Sequence, residues 1–445
     1  MDDFINKIEL ARQCVGFALK AGASQVRVSL SKSVTDTVSM LNGVLDKVSH
    51  SADQSIFLHI FVNGRYGTFS TNRLDREELS SFVRKAVAAT GLLAPDPLHR
   101  LPAIELCASN AKNGKEAGLY DDSYFDITSD QRLSFADRLS RPGIESVTNC
   151  SIVSVEAEYS DNIDDNFIVD SNGFEGRHTE TEFTVSSEVT IQDQNGNKLS
   201  GFWWDSSPFI EKLDFDASDI ALKKAVMSIG PKKVRSGVRK MVVDRSVASR
   251  LVSPIINALY ASNIQQKNSF LLDCVGKKVF GENFSLMDFA RMSGHPGARL
   301  FDTEGVATMD RPVIENGVVK MYFTDTYNSG KLGLPQTIEG PSVPTVIPSR
   351  DGTSLQDLID EAGTGILVTG FNGGNCNTAT GDFSYGVEGF VIKGSHTYQN
   401  PVREMVITGN MKELWNNLVL AADDARQCSR WQIPSLLFKD VHFSM

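Results

Sequence analysis

IFLHIFVNGRYGTFS, residues 56–70, is the stretch that decides the fold of this chain. Ile56, Leu58 and Ile60 alternate with other residues before the pair Asn63-Gly64, and a second extended run follows the pair. Asn-Gly favours the type I′ turn, in which both central residues take positive φ. The stretch therefore predicts an antiparallel β-hairpin, because period-two alternation is typical of a strand with one buried face.

Six further Asn-Gly pairs mark turns elsewhere in the sequence. Most of them lie between runs that alternate apolar and polar residues, as the run with Val26, Val28 and Leu30 does. These pairs begin at Asn42, Asn113, Asn172, Asn195, Asn316 and Asn372. Their spacing predicts antiparallel hairpins along most of the chain.

Helices are fewer, and most have recognisable ends. Residues 3–21 form an amphipathic pattern that stops at Gly22, a residue suited to the position after a helix. Asp75 predicts the cap of a second helix, which runs to about Ala89. The elements do not alternate as strand, helix, strand, helix, so the chain is predicted to be α+β, with mostly antiparallel sheets and flanking helices.

Two predicted helices lie in the second half of the chain. Asp244 should cap a helix whose apolar residues share one face, and Pro254 should kink or shorten this helix. Asn410 should cap a longer helix through about Arg426.

The best predicted domain boundary follows Gly230, where a helix ends and a basic stretch begins. This gives an N-terminal α+β domain over residues 1–230, strand-rich from about 150, and a β-rich α+β domain over 231–445. The length of 445 residues agrees with two or three domains.

Charge and cysteine usage restrict the function classes. The net charge of −11 argues against DNA or RNA as a direct partner, because phosphate binding needs a basic face. One basic cluster is interpreted as a solvated linker that leads into a strand, and it consists of Lys232, Lys233, Arg235, Arg239 and Lys240. Six scattered cysteines fit reduced thiols and a cytoplasmic location. The start MDDFINKIEL is not typical of a signal peptide, and no apolar run predicts a membrane span.

Zinc ligation has no support in the histidine pattern. None of the seven histidines is followed by glutamate, and no two lie four or five positions apart, so no helix can present the pair of an H-E-x-x-H motif. Carboxylates could bind a hard cation, but their spacing matches no calcium loop. These carboxylates are Asp302, Glu304, Asp310 and Asp325.

NGGNCNTATGDFSYGVEG, residues 372–389, is interpreted as a glycine-rich loop suited to binding extended backbone. Cys376 and His396 could form a nucleophilic dyad if they lay within hydrogen-bond reach. The alternative is a small thiol in a polar loop and an exposed turn histidine. The adjacent rings of Trp203 and Trp204 could form a binding platform. More often such a pair has one side chain in the core and one at a surface or interface, because side chains alternate along a strand.

Several segments together resemble the TldD/PmbA family, whose members have been described as modulators of DNA gyrase and as cytosolic metalloproteases. The similarity runs over nearly the whole chain, with its most specific motifs in the C-terminal half. The segments are ALKAGASQVRVSLS (18–31), LNGVLDKVS (41–49), VNGRYGTFSTNRLD (62–75), VDSNGFEGRHTETEFTVSSEV (169–189), FLLDCVGKKV (270–279), RLFDTEGVAT (299–308), VIENGVVKMYFTDTYNSGKLG (313–333), TATGDFSYGVEGF (378–390) and PVREMVITGNMKEL (401–414).

The resemblance favours the PmbA branch of the family, also called TldE. The TldD-like branch carries H-E-x-x-x-H on a helix of its C-terminal domain and a further cysteine ligand near the C-terminus. Here the corresponding helix, residues 244–263, reads RLVSPIINALYASN over 250–263 and contains no histidine. Cys428 falls near the place of the family's cysteine and is interpreted as an ordinary thiol. The resemblance also gives Gly381-Asp382-Phe383 a shared role in both branches, architectural or peptide-lining.

The resemblance implies a non-catalytic subunit of a two-component cytosolic metallopeptidase that degrades or trims unfolded peptides. A TldD-like partner would supply the zinc, so this chain should need no cofactor and have no catalytic or metal-ligating residues. The residues expected to line a peptide channel or interface are Asn375, Cys376, Gly381, Asp382, Phe383, Asp302, Glu304 and Asp325. The main alternative is a homodimeric peptide-binding or regulatory protein of a gyrase or toxin–antitoxin pathway. A stand-alone enzyme using Cys376 or a carboxylate pair ranks last.

Overall fold

The computed structural model describes residues 2–143, 149–394 and 400–444. Its first half is built on one antiparallel sheet in the order β3-β2-β1-β4-β5-β6. The strands of this sheet are β1 (Gln25–Leu41), β2 (Val44–Val62), β3 (Arg65–Thr71), β4 (Cys150–Asp170), β5 (Glu175–Asp193) and β6 (Lys198–Ser207). Because β1 and β4 pair along most of their length, residues 25–71 and 150–207 share a single sheet.

The Asn-Gly pairs shape this sheet as predicted. Asn42 and Asn63 have φ of 52° and 48°, and the glycine after each has φ of 74°, so both pairs form tight turns with two positive φ values. They join β1 to β2 and β2 to β3 with Leu41 opposite Val44 and Val62 opposite Arg65. Asn172 and Asn195 lie in the connections that follow β4 and β5. Asn113 is an exception, because Gly114 forms an isolated bridge with His178 instead.

Helices cover one face of the sheet. They are α1 (Asp2–Lys20), α2 (Arg76–Thr90), α3 (Ser129–Leu139) and α4 (Ala217–Met227). Val26, Val28 and Leu30 alternate on β1 and are fully buried in the cluster that includes residues of α1 and α2. Arg27 lies between them in sequence and so points to the opposite face, where it is also buried. The second half of the chain packs against that opposite face.

The second half contains a small sheet, in the order β10-β9-β8-β11, and a six-stranded sheet, in the order β14-β13-β12-β7-β16-β15. The strands are β7 (Gly237–Val243), β8 (Leu286–Asp288), β9 (Arg311–Glu315), β10 (Val318–Val319), β11 (Pro344–Val346), β12 (Thr364–Cys376), β13 (Asp382–Lys393), β14 (Pro401–Asn410), β15 (Leu418–Ala421) and β16 (Leu436–Ser444). The helices are α5 (Ser249–Leu259), α6 (Ala261–Gln265), α7 (Thr326–Leu332), α8 (Leu355–Ala362) and α9 (Met411–Asn416).

The six-stranded sheet closes on itself. Val406, Ile407 and Thr408 of β14 pair with the end of β16, whose other side pairs with β7. Strands β7 and β12 form the one parallel pair among the named strands, and the other pairs are antiparallel. The structure is therefore α+β with antiparallel sheets and flanking helices, as predicted.

The helix predicted from Asp244 begins later in the structure than expected, and it is interrupted at a different residue. Asp244 accepts a hydrogen bond from the backbone of Ser246 at 2.8 Å, and the regular helix begins only at Ser249. Pro254 lies inside α5, while the chain leaves helical geometry at Tyr260, whose ψ is 129°. Tyr260 forms a bridge with Phe323, so backbone pairing and not the proline separates α5 from α6.

The predicted helix from Asn410 to about Arg426 was too long. Asn410 caps it by accepting the N–H of Lys412, but α9 ends at Asn416. Leu418–Ala421 instead forms β15, which pairs with β16. The helix does not continue because the apolar residues of β15 gain backbone hydrogen bonds by pairing with β16. No helix in the three described ranges is long and apolar enough to cross a membrane.

Candidate functional site

Residues 372–389 form a hairpin and not the predicted loop. Strand β12 pairs with β13 through Cys376 opposite Phe383, with irregular register between Phe371 and Gly374. We call residues 374–383 the hairpin tip. It brings together the predicted site residues of this segment, which are Asn375, Cys376, Gly381, Asp382 and Phe383.

Asp382 is held by its neighbours on the hairpin tip. Its carboxylate accepts a hydrogen bond from Asn410 Nδ2 at 2.9 Å. The hydrogen bond from Asn410, followed by one from Thr380, lowers the pKa of this carboxyl. Asn410 Nδ2 also donates to the carbonyl of Thr380 at 3.0 Å, so a single amide joins both sides of the turn. The acid therefore fixes the shape of the tip.

Cys376 does not have the environment of a nucleophile. Burial, with a smaller contribution from Asp382, raises the pKa of its thiol to about 11. The thiol donates to the carbonyl of Asn377 at 3.7 Å. His396, the other member of the considered dyad, lies outside the described residues. The thiol is therefore protonated at neutral pH, whereas the reactive form of cysteine is the thiolate.

Glycines let the hairpin pack closely. Gly381 has φ of +81°, and a Cβ there would lie 3.1 Å from the ring of Phe270. Gly374 has φ of +83°, and a Cβ there would lie 2.0 Å from the carbonyl oxygen of Ser384. The density of glycine in this stretch thus has a structural cause, which is a bulge and a tight turn against the core.

Helix α5 supports the hairpin through Arg250, a residue that the sequence did not single out. Its Nη2 donates to the carbonyl of Gly374 at 2.8 Å, and its guanidinium lies 5.2 Å from the ring centroid of Tyr385. Phe383 is only 5% exposed and stacks on Tyr385 with ring centroids 5.5 Å apart. Phe383 therefore supports the hairpin from within the core. Its predicted role at a channel or interface stays a prediction, as it does for the other residues of the tip.

The carboxylates predicted together with the tip lie at a different place, where the second half meets β1. Asp302 is 2% exposed and closes a turn, because one of its oxygens accepts the N–H groups of Glu304 and Val306, each at 2.9 Å. Burial, followed by the charge of Glu339, raises the pKa of Asp302 to about 7. Asp325 caps α7 by accepting the N–H of Asn328 at 2.6 Å.

Glu304 links the two halves of the molecule. It lies 3.6 Å from the guanidinium of Arg27 on β1, and both side chains are largely buried. Its other oxygen accepts the backbone N–H and the hydroxyl of Thr326 at 2.8 and 2.7 Å. Each of these three carboxylates thus has a structural partner in the fold.

Four stacked rings cross the same contact. His59 and Tyr66 belong to β2 and β3, His99 follows α2, and Tyr327 belongs to α7. Successive ring centroids lie 6.1, 4.6 and 4.0 Å apart. Burial, and then the charge of Arg27, lowers the pKa of His59 to about 4, so this imidazole is neutral. The stack joins the two halves of the molecule, and no local sequence motif indicates it.

The described residues do not fit a zinc site. Among them, no three His, Cys, Asp or Glu side chains group in a way that could hold a metal ion. Burial also raises the pKa of Cys428 to about 11, although zinc binds the thiolate. The exposed residues of α5 are Arg250 and Asn257, and no residue of this helix is histidine.

Models of three domains match most of the chain. They are the PmbA/TldA metallopeptidase domain 1 over residues 26–90, the central domain over 122–229 and the C-terminal domain over 236–445. The division has one domain more than the two predicted, and the exact boundary near residue 230 stays a prediction.

Several known proteins are similar over their whole length. "Metalloprotease PmbA" of Escherichia coli O157:H7 is 24% identical, with 98% of this chain and 97% of that protein covered. A PmbA homolog of Haemophilus influenzae is 27% identical, with 97% and 96% covered. A Bacteroides thetaiotaomicron protein, solved as a proposed modulator of DNA gyrase, has a TM-score of 0.92 and 38% identity, with 98% of both chains covered. TldE of Thermococcus kodakarensis, at 17% identity and a TM-score of 0.81 over 98% of this chain and 100% of that one, shares the fold.

Proposed function

This chain belongs to the PmbA/TldD family of metallopeptidases, and we propose that it is a non-catalytic subunit of a two-component peptidase. In this proposal a TldD-like partner supplies the zinc and the cleaving group. The present chain supplies part of the wall that receives an unfolded peptide. The complex acts in the cytoplasm and does not bind nucleic acid directly.

The composition of α5 carries the proposal. A zinc peptidase needs three protein ligands and an open position for water. Helix α5 directs Arg250 onto the hairpin tip, and its sequence supplies no imidazole for a metal. A family member with this helix keeps the architecture of the site but lacks its ligands.

The hairpin tip supports a role in lining a channel. Asn375 is exposed at the end of a bulged strand, and the tip around it is fixed by Arg250 and Asn410. An extended peptide can pair with an exposed strand end by backbone hydrogen bonds. A rigid tip reduces the conformational entropy that such binding costs.

Reconstitution with the cognate TldD-like protein tests the proposal. We expect the mixture to cleave an unstructured peptide at least about tenfold faster than the TldD-like protein alone, since productive orientation commonly contributes more than this. The present chain alone should be inactive and should purify without stoichiometric zinc. A mixture no more active than the zinc subunit alone would contradict the proposal.

A matched pair of variants locates the effect. Asn375→Arg adds a bulky cation to the exposed tip and should reduce the stimulation. Gln356→Arg introduces the same side chain on the exposed face of α8 and should leave the stimulation unchanged. Equal stimulation by both variants would show that the tip does not line the channel.

The alternative is a homodimeric regulator. It is suggested by the Bacteroides relative, which is described as a proposed modulator of DNA gyrase. Two members of the basic cluster are engaged in the fold, since Lys232 donates to Asn400 at 2.6 Å and Lys240 to the carbonyl of Glu361 at 3.0 Å. Salt-sensitive DNA binding in a filter assay at low ionic strength would favour the alternative. We expect none.

A further inference from the structure

A cavity of about 740 Å³ lies between β6, α4 and the closed sheet of the second half. Its size is in the range of sites that bind small ligands. Its walls come from residues 200–204, from the exposed side of α4, and from the bulged parts of β12 and β13. The hairpin tip, residues 374–383, is not part of its lining.

The edge of a strand forms one wall. Among the described strands β6 pairs only with β5, so its other edge is free of strand pairing. Five consecutive residues, 200–204, line the cavity. Successive side chains point to opposite faces of a strand, so a run of consecutive lining residues means that the cavity follows the edge itself. Such an edge offers backbone donors and acceptors to an extended peptide.

The charge of the lining is opposite to that of the whole protein. The chain carries a net charge of −11, yet five Lys or Arg residues and three Asp or Glu residues line the cavity among those described. A cavity with excess positive charge in an acidic protein favours an anionic ligand group.

Lys224 is the half-buried lysine of the lining. It extends from α4, and its ammonium lies 4.3 Å from the ring centroid of Trp203. Burial lowers the pKa of this amine. No carboxylate of the described residues lies within 4.0 Å of Lys224. The charges of Asp244 and Glu388, which also line the cavity, act on this amine from farther away. A half-buried ammonium that lacks a direct ion pair has a desolvation cost, which an anionic ligand group would offset.

Arg426 is fixed and shapes the cavity around Lys224. Its guanidinium lies 4.1 and 4.7 Å from the ring centroids of Trp203 and Trp204, and its Nη2 donates to the carbonyl of Trp204 at 2.5 Å. Arg403 is held less closely, with 3.8 Å to Glu388 and 3.2 Å to the hydroxyl of Ser228. Together with Phe371 these groups place positive charge beside large aromatic surfaces.

We propose that this cavity binds the free C-terminal carboxylate of a short peptide whose last residue is aromatic or large and aliphatic. Lys224 and Arg403 pair with the carboxylate, the rings of Trp203 and Phe371 cover the terminal side chain, and the edge of β6 pairs with the peptide backbone. The carboxylates of Glu188 and Glu388 in the lining disfavour a phosphate with two charges. This binding needs no catalytic partner, so it stands apart from the role in a two-component peptidase.

The test compares two ligands that differ only at the terminus. The isolated protein is titrated with Ala-Ala-Phe as the free acid and as the C-terminal amide, with tryptophan fluorescence and calorimetry as readouts. We expect the acid to bind at least about tenfold more tightly, since a charge-assisted pair is lost in the amide. Equal affinities, or no binding of either peptide, would overturn the proposal.

Variants and a competitor complete the test. Lys224→Met should reduce the affinity for the acid to that for the amide, and Arg403→Gln should reduce it in the same direction. Lys85→Met, an exposed position on α2, is the matched control and should change nothing. Equal losses in Lys224→Met and Lys85→Met, or displacement of the acid by inorganic phosphate alone, would refute a carboxylate site. Thermal unfolding of each variant verifies that the fold is intact.

Discussion

The hairpin tip and the cavity beside Trp203 use polar groups in opposite ways. At the tip, Asp382, Asn410 and Arg250 all bind other parts of the same chain. In the cavity, Lys224 is half-buried and has no carboxylate within 4.0 Å among the described residues. A polar group with a partner in the fold stabilises the fold, whereas a half-buried charge without one is a better indicator of a ligand. The tip groups that bind the fold are therefore structural, while the exposed Asn375 keeps its proposed role in lining a channel.

The largest expected effect tests the structural role of the hairpin. Gly374→Ala should lower the free energy of unfolding by about 3 kcal/mol, because the new Cβ combines positive φ with a backbone clash. The matched control is Gly373→Ala, where φ is +77° but the space is open. It should cost about 1 kcal/mol, from the unfavourable φ alone. Urea denaturation measures both, and equal losses would show that the bulge is not packed as described.

The second effect tests whether Lys224 is held for a ligand. Lys224→Met should raise the free energy of unfolding by up to about 1 kcal/mol, since binding residues are often kept at a cost in stability. Lys85→Met is the control and should change it little. A clear destabilisation by Lys224→Met would mean that the ammonium stabilises the fold, and the contrast with the hairpin tip would disappear.

A smaller effect should appear at Asp382. The folded-state pKa of this carboxyl is lowered, so its ionised form stabilises the fold above the unfolded pKa, and this stabilisation is lost as the pH falls through the folded pKa. The urea midpoints of the wild type and Asp382→Asn should therefore differ at neutral pH and converge once the pH falls below the folded-state pKa. A difference that stays constant across this range would contradict the pairing with Asn410.

The smallest effect is expected at Cys376. Its pKa of about 11 predicts slow alkylation by iodoacetamide at neutral pH, with the rate rising as the pH approaches that value. Cys376→Ser should leave the stimulation of a TldD-like partner unchanged. Rapid modification of Cys376 at pH 7 that abolishes this stimulation would show that Cys376 has a functional role.

The sequence predicted those parts of the fold that local chemistry determines. Asn42-Gly43, Asn63-Gly64 and Asn316-Gly317 marked tight hairpin turns because two successive positive φ values favour these residues. Asn372-Gly373 instead lies inside β12. Asp75 marked the start of α2, and it accepts hydrogen bonds from the N–H groups of Glu77 and Glu78. The errors at α5 and α9 have one cause, since Tyr260 and Leu418 form β-pairs with residues distant in the sequence, Phe323 and Phe438. Pairing with distant residues can prevent a helix even where the local sequence pattern favours one.

The candidate site was less predictable for the same reason. Residues 374–383 could be selected because they adjoin in sequence, but their support by Arg250 comes from 124 positions away. The cavity joins Trp203, Lys224, Phe371 and Arg426, each from a different element. No periodicity or spacing brings such residues together. Among these residues the sequence pointed only to Trp203, in the pair Trp203-Trp204, with one ring predicted in the core and one at a surface or interface. Both side chains are partly buried.

The closure of the second sheet by β16 has a consequence for synthesis on the ribosome. The six strands of the first sheet are all made by residue 207, so this sheet can form early. Strands β7 and β14 each pair with part of residues 436–444, so these pairings cannot form until that segment is made. A nascent chain therefore carries an open, apolar sheet until translation passes these residues, and ribosome stalling before Leu436 should expose it to chaperones.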